Sequence, residues 1–325
     1  MIKKGRFLVK LYHILFTIIL LLVSTVGHTD SSTTTVEQNG DGNLATADQS
    51  DPTIENNLIE QSQTGNGNSA EATQIVNSSM SSILQVQSGD NNDVSASQQE
   101  SSSTMVQIVQ AGDSQIALST QWITNNTIGE IYQEGQLNDG ELFQSDSVND
   151  TGYLFQSGQS NMGFVRATSG EFHSGTLLQT GVLNDGNVIQ LRGAFYTATV
   201  TQSGTGNQAS SAQNFGESLI SEITQSGDAN TAFLLQIFNE NSYALASQNG
   251  SDNFSSIQQE GEFMNVNTIQ NGMLNEVIAN QDGATSSTLA QQNGIDNFIE
   301  ISQSETSGSI TANQIGNGNI GMISQ

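Results

Sequence analysis

One pattern occurs thirteen times in this chain and constrains its fold more than any other feature. In the copy from Gln202 to Gln213 it reads Gln, Gly two residues later, Asn five later, small or apolar residues seven and nine later, and a closing Gln eleven later. Successive copies begin 25 to 22 residues apart, and a fixed period of this size predicts a solenoid of stacked units. The opening glutamines are Gln38, Gln63, Gln87, Gln110, Gln133, Gln156, Gln179, Gln202, Gln225, Gln248, Gln270, Gln292 and Gln314.

Side-chain alternation inside each copy predicts β-strands. The residues seven and nine after the opening Gln, such as Ala209 and Ser211, are uncharged in every copy, whereas the position between them accepts Glu141 or Phe233. This alternation is typical of a strand with one buried face. Each copy also has glycine two residues after the opening Gln, where a turn needs positive φ or close backbone approach. We therefore predict an all-β parallel solenoid of about 13 strand-turn-strand coils, with amyloid-like cross-β stacking at ~4.8 Å.

The repeated amides are predicted to form ladders between coils. A buried amide is costly unless an identical side chain above or below exchanges hydrogen bonds with it. We expect twelve steps in the opening-Gln ladder, twelve in the Asn ladder if Gln115 replaces Asn, and ten in the closing-Gln ladder because Ala167 interrupts it. The representative self-assembly amides are Gln38, Asn43, Gln49, Gln202, Asn207, Gln213, Gln292, Asn297, Gln303, Gln314, Asn319 and Gln325, and the representative turn glycines are Gly40, Gly204, Gly294 and Gly316.

The N-terminal segment 1–27 is predicted to be a secretory signal peptide. It has a basic start, an apolar run from Ile14 to Val23 that is too short for a membrane-spanning helix, and small residues for cleavage. Residues 28–35 form a short polar lead, and 36–325 form the repeat domain. After cleavage, two arginines against 32 acids leave a net charge of −30. That charge disfavours nucleic acid and anionic lipid as partners, and we expect no membrane insertion.

Catalysis and cofactors are not expected. The mature chain has no cysteine, two arginines at different repeat positions and, within the repeats, one histidine, His173, which we interpret as a surface or loop residue rather than a base. Turn carboxylates such as Asp41, Asp90 and Asp113 could gather calcium, but their spacing is irregular. We interpret them as solvated acids and leave calcium open.

The pattern Gln-x-Gly-x-x-Asn-x-Ala-x-x-x-Gln resembles the curlin repeat, and the resemblance covers all thirteen copies. It implies a secreted bacterial amyloid subunit, exported through a curli-type outer-membrane channel with accessory factors, that assembles with itself and with other curlin subunits. The fibres would lie on the cell surface as fimbriae for adhesion and biofilm matrix. Curlins commonly have about five repeats, so this is a long relative; the resemblance leaves open whether it is a major or a nucleator subunit.

The solenoid ends also favour assembly on physical grounds. The first and last coils each expose a strand edge and unpaired amides, and matching open edges stack end to end. Two alternatives remain at this point: a monomeric β-solenoid surface adhesin with protected termini, and an ice-binding protein. The ice-binding alternative predicts a regular outward row of threonines, whereas the outward positions here are mixed.

Overall fold

The computed structural model describes residues 31–304 and 306–325, which form a two-sheet parallel β-solenoid. Each coil contributes one strand to a 13-stranded sheet of odd-numbered strands and the next to a 13-stranded sheet of even-numbered strands. Within this part of the chain there is no helix, and hence none that could cross a membrane. The predicted all-β solenoid of about 13 coils is confirmed. The predicted signal segment 1–27 and residues 28–30 of the lead lie outside the described residues, and the first strand begins at Thr33.

The two sheets use strands of five to ten residues. The odd-numbered strands are β1 Thr33–Asn39, β3 Leu58–Thr64, β5 Ser82–Ser88, β7 Met105–Asp113, β9 Ile128–Gln136, β11 Thr151–Gln159, β13 Ser174–Val182, β15 Thr197–Thr205, β17 Ile220–Asp228, β19 Tyr243–Ser251, β21 Asn265–Met273, β23 Ser287–Ile295 and β25 Ser309–Asn317. The even-numbered strands are β2 Leu44–Asp48, β4 Ser69–Ile75, β6 Asp93–Gln99, β8 Ile116–Asn125, β10 Asp139–Val148, β12 Met162–Thr168, β14 Asp185–Ala194, β16 Gln208–Glu217, β18 Thr231–Glu240, β20 Phe254–Glu262, β22 Glu276–Ala284, β24 Phe298–Gln303 and β26 Ile320–Ser324.

The strand register follows the sequence repeat. Gln202 on β15 lies between Gln179 on β13 and Gln225 on β17, and Gln213 on β16 lies beside Gln236 on β18. Because one period makes one coil, each template position is stacked on the same position of its neighbours. Identical side chains therefore form columns along the solenoid axis.

The core is a thin layer between the two sheets, filled by large residues that face small ones. Leu154 on β11 is fully buried, and a Cβ added at Gly140 or Gly163 on the facing sheet would lie 2.7 or 2.6 Å from its methyl carbons. Leu142 on β10 similarly packs near Gly129 and Gly152. This matching of size across the layer lets coils close with few apolar atoms.

Candidate self-assembly site

The turn between the two strands of a coil depends on glycine. Gly204 has a φ of 115°, and a Cβ on it would overlap the carbonyl oxygen of Gly227 in the next coil. Positive φ and close backbone approach therefore both operate at this position. The same φ region is used in every copy, at Gly40, Gly65, Gly89, Gly112, Gly135, Gly158, Gly181, Gly204, Gly227, Gly250, Gly272, Gly294 and Gly316.

The opening glutamines form a continuous ladder. At each of the twelve junctions, the Nε2 of one Gln donates to the Oε1 of the Gln in the following coil, at 2.6–3.1 Å. The amide nitrogen also crosses the core: Gln202 Nε2 donates to the backbone oxygen of Asp185 on the other sheet at 2.9 Å. Gln202 is fully buried, so these bonds replace the water that its amide loses.

The asparagines form a second ladder that binds backbone as well as side chains. Asn207 Nδ2 donates to the oxygen of Gly227 at 2.8 Å, while its Oδ1 accepts the backbone N–H of Asn230 at 3.0 Å. The bond from the side chain to the glycine carbonyl is present at all twelve junctions, with Gln115 donating at one. Each Asn thereby fixes the turn of the next coil.

The closing glutamines form the third ladder in two segments. Nε2-to-Oε1 bonds of 2.6–3.2 Å run from Gln49 to Gln144 and again from Gln190 to Gln303. Gln213, in the middle of the second segment, is fully buried and also donates to the Thr197 oxygen at 3.2 Å. The three ladders lie in the buried layer between the two sheets and connect each coil to its neighbours by hydrogen bonds.

Comparison with known proteins connects this geometry to a family. The model of the curlin associated repeat matches residues 222–261, a segment that contains the copies opening at Gln225 and Gln248. The chain carries the curlin associated repeat. The resemblance drawn from the sequence is confirmed there, and the other coils have the same glycine turn and ladder positions as the matched curlin repeats. No curated protein matched the chain.

The curlin-repeat ladders are interrupted at three places. Ala167 separates Gln144 from Gln190, and the buried Oε1 of Gln190 is left without a partner. At Gln115 the longer side chain lets Nε2 reach the oxygens of Ala111 and Gly135, but its Oε1 accepts no bond. The Asn ladder therefore keeps its donor bond at the junction where Gln115 stands in place of Asn, but it lacks one acceptor bond there.

The predicted closing-ladder step from Gln303 to Gln325 is also absent. Nε2 of Gln303 is buried without a partner, while the Gln325 backbone binds Ser302 and Ser304. The reason is local: β26 ends at Ser324, so Gln325 continues the backbone pairing with an exposed side chain.

Replacing Ala167 with Gln is expected to stabilise the fold. The new amide would accept from Gln144 and supply the donor that Gln190 Oε1 lacks, and two hydrogen bonds at about 0.5–1.5 kcal/mol each predict a gain of about 1–3 kcal/mol. The free energy of unfolding, measured in urea, checks this. Ala212→Gln is the matched control, because Ala212 points outward beside Gln213 and should give no gain. Equal or lower stability for Ala167→Gln would contradict the ladder interpretation.

The predicted amides of the two end coils are the most accessible in the ladders. Gln38, Asn43 and Gln49 in the first coil are half-buried, as are Gln314 and Asn319 in the last, whereas Gln292 and Asn297 one coil further in are fully buried. The cause is simply that each end coil has a neighbour on one side only.

The second turn of each coil, which joins its even-numbered strand to the odd-numbered strand of the next coil, contains residues whose role was not predicted from the sequence. His173, expected at the surface or in a loop, is buried, as are Asp150 in the preceding coil and Tyr196 in the following one. His173 does lie in the loop before β13, but it is not at the surface, because the residue six positions before the opening Gln points inward. The sequence signal for this inward position is a glycine three residues earlier wherever the side chain is large, as at Gly170 before His173 and Gly193 before Tyr196.

The turn carboxylates take part in backbone hydrogen bonding. Asp90 Oδ1 accepts the N–H of Asn66 at 2.7 Å, and Asp113 Oδ1 accepts the N–H of Asp90 at 3.1 Å. Over residues 31–304 and 306–325, no group of three or more His, Cys, Asp or Glu side chains could hold a metal ion. Here these acids support the turn of the preceding coil.

Proposed function

We propose that this chain is a secreted structural subunit of a curli-like amyloid fibre, which grows by end-to-end stacking of solenoids on the bacterial surface. The observation that carries the proposal is that the two ends of one molecule offer complementary ladder atoms. A structural rather than catalytic role fits an interior built of amides and small apolar residues. Adhesion and biofilm matrix are the functions that the curlin repeat suggests for such a fibre.

The complementarity of the ends follows from the direction of each ladder. Gln Nε2 always donates toward the following coil, so Gln314 presents a donor at the C-terminal end, and no described residue donates to the Oε1 of Gln38 at the N-terminal end. In the Asn ladder, Nδ2 binds the glycine oxygen of the following coil and Oδ1 accepts the following Asn N–H. By the same rule, Asn319 of one copy would bind Gly40 and Asn43 of the next.

This arrangement supports stacking with a fixed direction. A C-terminal end placed on an N-terminal end continues the opening-Gln and Asn ladders, whereas two C-terminal ends would bring donors against donors. Contacts of this head-to-tail kind do not close and therefore generate filaments. Export through a curli-type outer-membrane channel, and mixed assembly with other curlin subunits, are further parts of the proposal and rest on the family resemblance.

The end amides provide the test of this proposal. We expect Gln314→Leu with Gln325→Leu to slow fibre elongation at least about tenfold, because the loss of about 1.4 kcal/mol of docking free energy corresponds to that factor. The matched variant is Gln156→Leu with Gln190→Leu, which makes the same changes inside the solenoid. Its elongation rate per folded molecule should remain close to that of the unchanged protein.

The measurement is seeded growth followed by thioflavin fluorescence, after circular dichroism has fixed the folded fraction of each variant. Fibre diffraction of the unchanged protein should give a meridional reflection at ~4.7 Å. Equal elongation by the two double variants would overturn stacking through the last coil. A protein that remains monomeric in size-exclusion chromatography would overturn the fibre proposal as a whole.

A further inference from the structure

The opening-Gln and Asn ladders do not specify which coil lies on which. The opening position is Gln in every copy and the Asn position is an amide in every copy, so a coil paired with its second neighbour would form the same ladder bonds. Register is weakly specified wherever a repeated pattern offers equivalent pairings. Information that distinguishes the coils must come from positions that differ between them.

The second-turn column differs from coil to coil. We define it as the inward residues six positions before the opening Gln of the second to thirteenth copies: Asn57, Ser81, Thr104, Thr127, Asp150, His173, Tyr196, Leu219, Ser242, Met264, Ser286 and Gly308. All are buried. We propose that the part of the second-turn column from Asp150 to Leu219 sets the register of the solenoid by making contacts that only the native order of coils allows.

The contacts between neighbouring coils are specific in chemistry. Asp150 Oδ1 accepts the backbone N–H of His173 at 2.8 Å, and Asp150 Oδ2 lies 3.4 Å from His173 Nδ1. Both atoms are buried, and their distance is within ion-pair range, although neither of them makes a hydrogen bond. His173 Nε2 lies 3.1 Å from the oxygen of Gly193, and the ring stacks on Tyr196 with centroids 4.8 Å apart and planes 11° apart.

Tyr196 continues the column into the next coil. Its hydroxyl oxygen accepts the N–H of Gly216 at 2.6 Å and its hydroxyl donates to the Gly216 oxygen at 3.1 Å. Beyond it, Leu219 is fully buried and makes the column apolar. Carboxylate, imidazole, phenol and alkyl groups thus follow one another in four successive coils, each with a different neighbour above and below.

Volume is matched as well as chemistry. A Cβ at Gly170 would overlap the His173 ring, and one at Gly193 would overlap the Tyr196 hydroxyl. Where the column residue is small, the residue three before it is in several coils a serine or threonine in place of glycine, as in the pairs Ser78 with Ser81 and Ser101 with Thr104, although Gly283 precedes Ser286. Each turn therefore has its own pair of residues, and exchanging neighbours would break the match.

A slip of one coil would leave a buried carboxyl group without its partner. Asp150 would face Tyr196 in place of His173, whose Nδ1 lies 3.4 Å from Asp150 Oδ2 and is the only basic nitrogen within 4 Å of an acidic oxygen among the described residues. Leaving a buried carboxyl group without its polar neighbour is strongly unfavourable, because the group does not regain water. The native order avoids that cost, whereas every slipped order that skips the His173 coil incurs it.

The test removes the distinguishing residues but keeps turns that the chain already uses. The column-free variant carries Asp150→Thr, Gly170→Ser, His173→Thr, Gly193→Ser and Tyr196→Thr, which copies the Ser and Thr pair of the turn at 101–104. Both glycines lie outside the left-handed φ region, so their φ allows serine, but the added Cβ would lie 2.5 Å from the backbone oxygen of Gly193 or Gly216, and both turns must shift to accept it. The matched control, Ser101→Thr with Thr104→Ser, exchanges two residues within one turn and leaves Asp150, His173 and Tyr196 in place.

Paired cysteines report the register in this cysteine-free chain. Thr151→Cys with Ser174→Cys joins strands that are adjacent in the native order, and Thr151→Cys with Thr197→Cys joins strands that become adjacent after a one-coil slip. A disulfide forms only when the Cα atoms lie within about 7 Å, which separates one coil from two. Both pairs are refolded from denaturant under mild oxidation as dilute monomers, so the result does not depend on fibre growth.

We expect the ratio of slipped to native disulfide to rise at least about tenfold in the column-free variant and to stay unchanged in the control. An unchanged ratio in a column-free variant that folds by circular dichroism would overturn the proposal. If that variant does not fold, the disulfide ratio is measured in the single variant Asp150→Asn. This variant removes the carboxylate of Asp150 and leaves His173 in place. We expect more slipped disulfide from it than from the control, and an equal ratio would overturn the proposal.

Discussion

Replacing Gly204 with alanine is expected to destabilise the solenoid by about 3 kcal/mol or more. Gly204 has a φ of 115°, a region that costs a non-glycine residue on the order of 1–3 kcal/mol. The added Cβ would also overlap the carbonyl oxygen of Gly227, which is backbone held by Asn207 Nδ2 and cannot rotate away. Strain and a lost ladder bond therefore act together.

Gly206 in the same turn is the matched control for Gly204. It has a φ of 65° and no heavy atom within 4 Å of an added Cβ. Gly206→Ala should cost only about 1 kcal/mol, since the left-handed conformation is the sole penalty. Urea unfolding of both variants, followed by circular dichroism, measures the difference. Similar losses of stability in the two would show that the close approach of Gly204 to Gly227 has little energetic weight.

The repeated part of the structure could be predicted from sequence because residues one period apart in a solenoid contact each other in adjacent coils. Gln202 and Gln225 are identical and one period apart, so their identity already implies that they face one another. Gly204 could be assigned to a turn in the same way, since a glycine at the same position of every copy indicates positive φ or a close approach of two backbone segments. The alternation around Ala209 then fixed the strands on either side.

The second-turn residues could not be predicted by that reasoning. Asp150, His173 and Tyr196 are different residues at the same position, so no identity marks them as neighbours. Their contact depends on complementarity of charge and volume, which becomes visible only once the period defines the column. A lone histidine in a polar sequence was therefore interpreted as a surface or loop residue; it lies in a loop, but buried between a carboxyl group and a phenol ring.

Small differences in hydrogen-bond geometry within a ladder also could not be predicted from the sequence. Gln115 keeps the amide that the Asn position requires, yet one additional methylene moves its oxygen away from the N–H of Asn138. The repeat pattern treats the Gln and Asn amides as equivalent. Their hydrogen bonds differ, because a hydrogen bond requires its donor and acceptor to be aligned within a few tenths of an ångström.

Raising the pH from 10 to 12 is expected to weaken the fold through Tyr196. Burial raises the pKa of its hydroxyl from 10.0 to about 12, and the hydrogen bond from the Gly216 N–H opposes the rise. The unfolded chain loses this proton near pH 10, while the folded chain holds it until about pH 12. The stabilisation is therefore complete below pH 10 and is lost as the pH rises through 12, by roughly 2–3 kcal/mol.

Tyr196→Phe separates this effect from general alkaline unfolding. The variant loses the two hydrogen bonds between the hydroxyl and Gly216, so it should be less stable near neutral pH. Its free energy of unfolding does not depend on ionisation at this position, because phenylalanine has no hydroxyl proton. Urea unfolding at several pH values should show the gap between the two proteins closing above pH 10. Tyr132→Phe is the control, since that ring is only half-buried on the outer face, is tilted by 44° against Tyr153, and has a pKa that burial raises by less than that of Tyr196. A gap that stays constant with pH would mean that the Tyr196 proton is not held by the folded solenoid.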